Sequence, residues 1–227
     1  MRPVKKWQPN DDSTPVKILE DYIPYQKAKE DLVKNIGDYC SYCERKLLLD
    51  TIHIEHIKCR ELYLELETKW TNLLLSCPTC NGTKRTKEVK PEQTHLPDRD
   101  NTLLSFSYLE GGVIVVNSSL PETEQSKAKN LIELVGLDRR PGHPKHTSKD
   151  KRWEKRMEIW EYANRYIEND TQTIIDLATL SGCWSIWYNV FKDNAQVRKL
   201  LIEKFPGTNR DCFNESGEPT ALDRDCL

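Results

Sequence analysis

Four cysteines in two Cys-x-x-Cys pairs, Cys40/Cys43 and Cys77/Cys80, constrain this chain more than any other feature. Each pair turns two sulfurs toward one point through a single tight turn, so the four together suit a tetrahedral zinc ion. An all-sulfur set leaves no open position, which makes the ion a structural one. The alternative is four unrelated buried thiols. The symmetry of the pairs and the turn residues Tyr42 and Pro78 weigh against it.

Composition narrows what such a centre can serve. The chain has 227 residues and a formal charge of −2, with 31% charged side chains. Its pI is about 6.2 and its mean hydropathy −0.72. A globally basic coat for polyanions is excluded, so any nucleic-acid contact must come from local patches. No apolar stretch approaches the roughly 20 residues of a membrane span. The opening residues lack the apolar run of an export signal. The remaining cysteines, Cys59, Cys183, Cys212 and Cys226, are scattered. Zinc plus free thiols is therefore expected rather than a disulfide framework, in a soluble cytoplasmic protein with no membrane contact. Cys59 lies outside both pairs and reads as a core thiol.

Periodicity and punctuation suggest four stretches. Residues 1–38 are an arm and helices: Pro15 is placed to open a first helix, and Tyr25 to Ile36 a second that Gly37 stops. Residues 39–138 hold the metal-binding stretch, a hairpin and a helix. Within it, Lys46 to Leu49 and Ile52 to Ile57 read as paired short strands, and Asn81 as the start of a short helix. Leu103 to Tyr108 and Val113 to Val116 flank Glu110-Gly111-Gly112 as a hairpin. Pro121 begins a helix that ends before Gly136. Residues 139–207 open on a basic, turn-rich linker and continue as helices rich in aromatics. Trp153, Trp160, Trp184, Trp187 and Tyr188 are candidates for a small core first, then for a docking or base-stacking surface. Residues 208–227 read as a flexible tail.

Between the cysteine pairs lies His53-Ile54-Glu55-His56. His53 and Glu55 share one face of a strand. A neutral imidazole, with a usual pKa of about 6.5, is suited to deprotonate water near neutral pH. A carboxylate suits Mg²⁺ or Mn²⁺. Lys84, Arg85 and Lys87 follow Asn81 and are candidates for phosphate contact. The blander reading, a solvated helix face, holds for the bases from Arg139 to Arg152, which run into interleaved acids.

Glu55-His56, Asn72-Leu-Leu-Leu and Cys77-Pro-Thr-Cys80-Asn81 together resemble the HNH (ββα-metal) endonucleases that carry zinc knuckles. The resemblance implies an α+β fold. A small ββα-metal core with four-cysteine zinc knuckles would be embedded in a mainly helical chain with one extra hairpin. It also implies roles: Glu55 and Asn81 as ligands of a catalytic Mg²⁺ or Mn²⁺, His56 as general base, Asn72 as the brace of the intervening loop. His53 has no fixed role in that motif; supporting residue, phosphate donor and metal ligand all stay open. Two positions depart from the pattern. Glu55 stands where Asp or His is more frequent, and Cys59 where Pro often follows.

A longer set of matches is similar to the PtuB family, the HNH component of Septu anti-phage systems that also occurs with some retrons. It comprises the opening Met-Arg-Pro-Val, Tyr-Cys-Ser-Tyr-Cys-Glu-Arg, Trp70-Thr-Asn-Leu-Leu-Leu-Ser-Cys, and Leu-Val-Gly-Leu-Asp-Arg. This implies a DNA endonuclease working with a PtuA-like ATPase of the ABC/SMC type. No phosphate-binding Gly-x-x-x-x-Gly-Lys-Ser/Thr loop is present, so any nucleotide dependence would come from that partner. The rival readings are a non-catalytic zinc module that docks nucleic acid or a partner, and a toxin that cuts RNA or tRNA.

Overall fold

The computed structural model describes residues 1–11 and 13–222. Among them are two two-stranded sheets and seven α-helices. A turn of 3-10 helix at Tyr25–Ala28 leads into α1 (Lys29–Ile36), whose Leu32 and Ile36 are buried. Gly37 ends it at a φ of 77°, where a Cβ would meet the Tyr39 ring at 2.9 Å.

The expected helix at Pro15 does not form. Residues 15–23 are irregular because their backbone groups pair with a distant loop: Tyr22 N–H donates to Thr68 O and Trp70 N–H to Glu20 O, each at 2.9 Å. Asp21 accepts from Thr68 and Lys69, both at 2.7 Å, and fixes that arrangement. Ile18 and Tyr22 are still buried; they reach the core from an extended backbone.

The strand pairing also differs from expectation. Strand β1 (His53–His56) pairs antiparallel with β2 (Leu73–Ser76), Glu55 facing Leu74 across the ladder. Lys46 makes only an isolated bridge to Tyr39, and Leu48 and Leu49 are exposed. Leu73, Leu74 and Leu75 are wholly buried, which contributes about 1.5–3 kcal/mol each. That burial draws residues 73–76, rather than 46–49, into the sheet. Helix α2 (Pro78–Lys84) follows at once, so Asn81 lies one turn inside the helix rather than at its start.

Strands β3 (Phe106–Leu109) and β4 (Val113–Val116) form the second hairpin. A Cβ on Gly112 would lie 2.6 Å from the Arg156 backbone, so only glycine allows that contact. Helix α3 (Glu122–Val135) ends at Gly136 in the left-handed conformation. Helices α4 (Arg152–Arg165), α5 (Thr171–Ser181), α6 (Trp184–Val190) and α7 (Ala195–Lys204) complete the chain. Trp184, Trp187 and Tyr188 are buried, which makes them core; Trp153 and Trp160 are half-buried. The inner face of α4 carries Arg152, Arg156, Ile159 and Ala163. Two of those four are arginines, so an apolar pattern could not have marked this face.

One contiguous core takes side chains from Met1 to Phe205. The first residues are irregular but interior. The Arg2 guanidinium donates to Ile36 O at 2.7 Å and Pro206 O at 2.6 Å, and lies against Tyr39 and Phe205. Residues 208–222 are likewise not a loose tail. Thr208 bridges Val4, Asn209 N–H donates to Pro3 O at 2.9 Å, and Asn101 holds Cys212 O and Thr220 O. The rest of the expected tail, 223–227 with Cys226, lies outside the described residues. All seven described cysteines are buried and free of disulfides. No helix among the described residues is long and apolar enough to cross a membrane.

Candidate active site and zinc centre

The sulfurs of Cys40, Cys43, Cys77 and Cys80 all lie within 4.8 Å of one another and are buried. Zinc–sulfur bonds of about 2.3 Å at a tetrahedron's corners put sulfurs about 3.8 Å apart. Cys43 Sγ and Cys77 Sγ are separated by 3.7 Å. The backbone is shaped for charged sulfur as well: Cys80 N–H points to Cys77 Sγ at 3.3 Å, at the cap of α2. Arg152 Nη1 donates to Cys80 Sγ at 3.3 Å, and the Arg45 guanidinium lies beside Cys43 and Cys77. Four thiolates around a dication carry a net double negative charge, and these two arginines offset it. The residues therefore fit a structural zinc ion.

Two contacts join this centre to the rest of the molecule. Glu44, in the first knuckle, accepts from the Arg2 backbone N–H and, at 2.7 Å, from Ser185 Oγ. Arg152 also donates to the Val135 and Gly136 carbonyls and forms a buried ion pair with Asp150 at 2.6 Å.

On the other side of β1 and α2 a cleft of about 470 Å³ opens. His53, Glu55, His56, Asn81, Arg60 and Arg85 are among its lining residues. His56 Nε2 lies 2.9 Å from Glu67 O. A carbonyl only accepts, so Nε2 carries the hydrogen and a neutral ring presents the Nδ1 lone pair. Burial, with Arg60 and Lys84 adding to it, holds His56 below the usual imidazole range, which favours that neutral form. The Tyr25 ring meets the imidazole edge-on at 4.7 Å, and Arg60 lies over Tyr25 at 5.6 Å.

Glu55 is almost wholly buried, and its Oε1 is 2.7 Å from Lys84 Nζ. Burial pushes its carboxyl up to about 7, and the Lys84 ammonium works against that rise. Lys84 Nζ also donates to His56 O at 2.7 Å. Asn81 Nδ2 donates to His53 Nδ1 at 3.0 Å, which directs the amide oxygen away from the ring. Glu55 Oε2 and Asn81 Oδ1 have no protein partner among the described residues. A carboxylate oxygen and an amide oxygen on one cleft are a fitting start for a hard divalent cation with water completing its shell.

Asn72 is buried at the base of β2. Its Oδ1 accepts from Lys58 N–H at 2.8 Å, while Nδ2 donates to Lys58 O at 3.0 Å and Leu66 O at 3.1 Å. One amide thus pins both sides of the loop that carries Arg60 and Glu67.

The HNH endonuclease family model matches residues 40–87, the stretch that holds both the sulfur centre and the cleft. Residues 40–87 are an HNH endonuclease domain. The chain is also similar to a Septu protein PtuB of Bacillus thuringiensis, 34% identical over 120 residues. That alignment covers 51% of this chain and 42% of the relative, so the chain spans under half that protein's length.

Within the HNH domain, the structure redistributes the basic residues. Lys84 is not a phosphate contact: three residues past Asn81 on the same helix face, it is turned under β1 and is only 1% exposed. Lys87 is exposed but donates to Leu134 O at 2.8 Å, at the carbonyl end of α3. Arg85 does line the cleft and has no acidic partner among the described residues. Arg60 lines it too, although no motif marks it in the sequence; only its nearness to His56 would have suggested it. Arg152, expected to be a solvated base, is buried against the zinc centre.

Proposed function

We propose that this protein is a metal-dependent endonuclease that hydrolyses phosphodiester bonds of DNA. In this reading it acts in the cytoplasm as the nuclease of a Septu-type defence complex with a PtuA-like ATPase. The observation that carries the reading is His56: its Nε2 is committed to a backbone carbonyl, so its Nδ1 lone pair is available in a cleft shared with Glu55 and Asn81.

The residues divide the work. His56 takes a proton from the attacking water at Nδ1 and passes to the imidazolium form. The Glu67 carbonyl and the Tyr25 ring hold the imidazole at the angle this needs. Glu55 and Asn81 would hold a Mg²⁺ or Mn²⁺ ion. When bound, such an ion supplies charge stabilisation at the scissile phosphate and the leaving oxygen. His53 orients the Asn81 amide. Arg60 and Arg85 neutralise phosphates at the two sides of the cleft, contacts that position a strand without reading its sequence. The zinc ion takes no part in the chemistry; it fixes the scaffold.

The test is plasmid cleavage by the full chain, purified with its ATPase neighbour, with Mg²⁺ or Mn²⁺ supplied. His56→Ala is expected to cut about 10²–10⁴ times more slowly while keeping its zinc and its melting temperature. Wild-type rates from that variant would refute the assignment of the base. A parallel RNA panel that is cut while DNA is not would move the substrate to RNA.

A further inference from the structure

The cleft accounts for Arg60 and Arg85 but leaves the cations beyond them without a task. Arg85 and Thr86 line the cleft, and the next residues, Lys87 and Glu88, line a second groove of about 430 Å³. Lys90 lines it, as does Lys145 from the loop between α3 and α4. Lys87 also lies within electrostatic reach of Arg139; burial first, then the charges of Arg139 and Lys145, hold its pKa below the ordinary lysine range. The fold has therefore brought together cations from two segments that are far apart in sequence.

Several surface lysines are tied to acids. Lys5, Lys46, Lys69, Lys127 and Lys151 each sit within 2.6–2.8 Å of a carboxylate. Arg85, Lys87, Lys90, Arg139 and Lys145 have no carboxylate within ion-pair distance among the described residues. Two acids share the groove, each with a further partner, and Glu133 also acts on Lys87. Glu88 accepts from Tyr63 OH at 3.1 Å, and Glu133 faces Lys129 at 3.9 Å. Three lysines and two acids line the groove, and Arg139 adds to the positive side, so the excess positive charge favours a polyanion laid along it. In a chain whose net charge is −2, this is a local feature rather than a general one.

We propose that the groove is a binding track for the backbone of a nucleic-acid duplex, continuous with the cleft. A duplex held at one phosphate between Arg60 and Arg85 runs on over Lys90 and Lys145. The inference deepens the nuclease reading and rests on it for the direction of the track. Its contacts are to phosphate and carry no sequence information.

The experiment uses the full chain carrying His56→Ala, so that binding is read without cutting. Anisotropy of a labelled DNA duplex of about 30 base pairs is measured across a salt series. Adding Lys90→Gln and Lys145→Gln is expected to weaken binding roughly tenfold near 0.1 M salt and to make the log–log salt slope shallower by about 2. Lys199→Gln with Lys204→Gln on α7 removes the same charge from another face and is expected to leave both quantities unchanged. Equal binding and slope in the groove variant, or an equal loss in the α7 variant, overturns the proposal. Failure of the nuclease reading looks different. In that case the His56 chain binds through the groove lysines, but the unmutated chain cuts nothing when Mn²⁺ is supplied.

Discussion

The zinc centre and the cleft are built by the same three elements, β1, β2 and α2 with their flanking turns, yet they are finished in opposite ways. Every sulfur of the centre is buried, and the surrounding guanidinium and N–H groups are aimed at it. In the cleft each key side chain has one atom committed and one open. His56 gives Nε2 to Glu67 and keeps Nδ1, Asn81 gives Nδ2 to His53 and keeps Oδ1, and Glu55 gives Oε1 to Lys84 and keeps Oε2. A closed set of donors makes a structure; a half-committed set makes a site that can exchange ligands while its geometry stays fixed.

That contrast can be broken from either side. The largest effect is expected for Cys77→Ser, which removes one of four sulfurs while leaving an oxygen that can still cap α2. Structural zinc contributes apparent free energies of about 10–16 kcal/mol in small zinc domains, so this chain should lose both bound zinc and its near-UV circular dichroism. Retained zinc with a native spectrum would show that the centre is dispensable. Arg152→Met comes next. It leaves Asp150 buried and unpaired and strips a donor from Cys80, for an expected loss of about 3–5 kcal/mol in denaturant unfolding. A smaller loss is expected for Asn72→Ala, about 1–3 kcal/mol, because the Lys58 N–H and the Lys58 and Leu66 carbonyls lose their shared partner. It should also sharpen the comparison. Zinc content should stay whole while cleavage falls, since the loop bearing Arg60 and Glu67 is released; equal losses of zinc and cleavage would mean that the two regions are one unit.

The sequence was most readable where chemistry dictates spacing. Two Cys-x-x-Cys pairs can do little else than converge, and α3 follows its apolar period to its stop at Gly136. It was least readable where the decisive fact is a distant partner. The Leu73–Leu75 run has no alternation because both its faces are buried, so only its pairing with β1 reveals a strand. Residues 15–23 have helical spacing but give their hydrogen bonds to Thr68 and Trp70. Lys84, Arg85 and Lys87 look like one charge run, yet the helix turns Lys84 inward to Glu55 and Arg85 outward to the cleft. Arg60 and Arg152 carry no motif at all. Their roles exist only once Tyr25, Asp150 and Cys80 have been brought beside them.

The bond between Glu44 and Ser185 spans 141 positions of sequence. A ribosome adding about 5–20 residues per second needs roughly 7 to 28 seconds to cover that distance. In every round of synthesis, four thiols thus emerge well before the helices that will enclose them. The nascent protein spends the later part of that interval with all four sulfurs open to whatever metal or oxidant the compartment offers, and the last helices to appear decide when the window shuts.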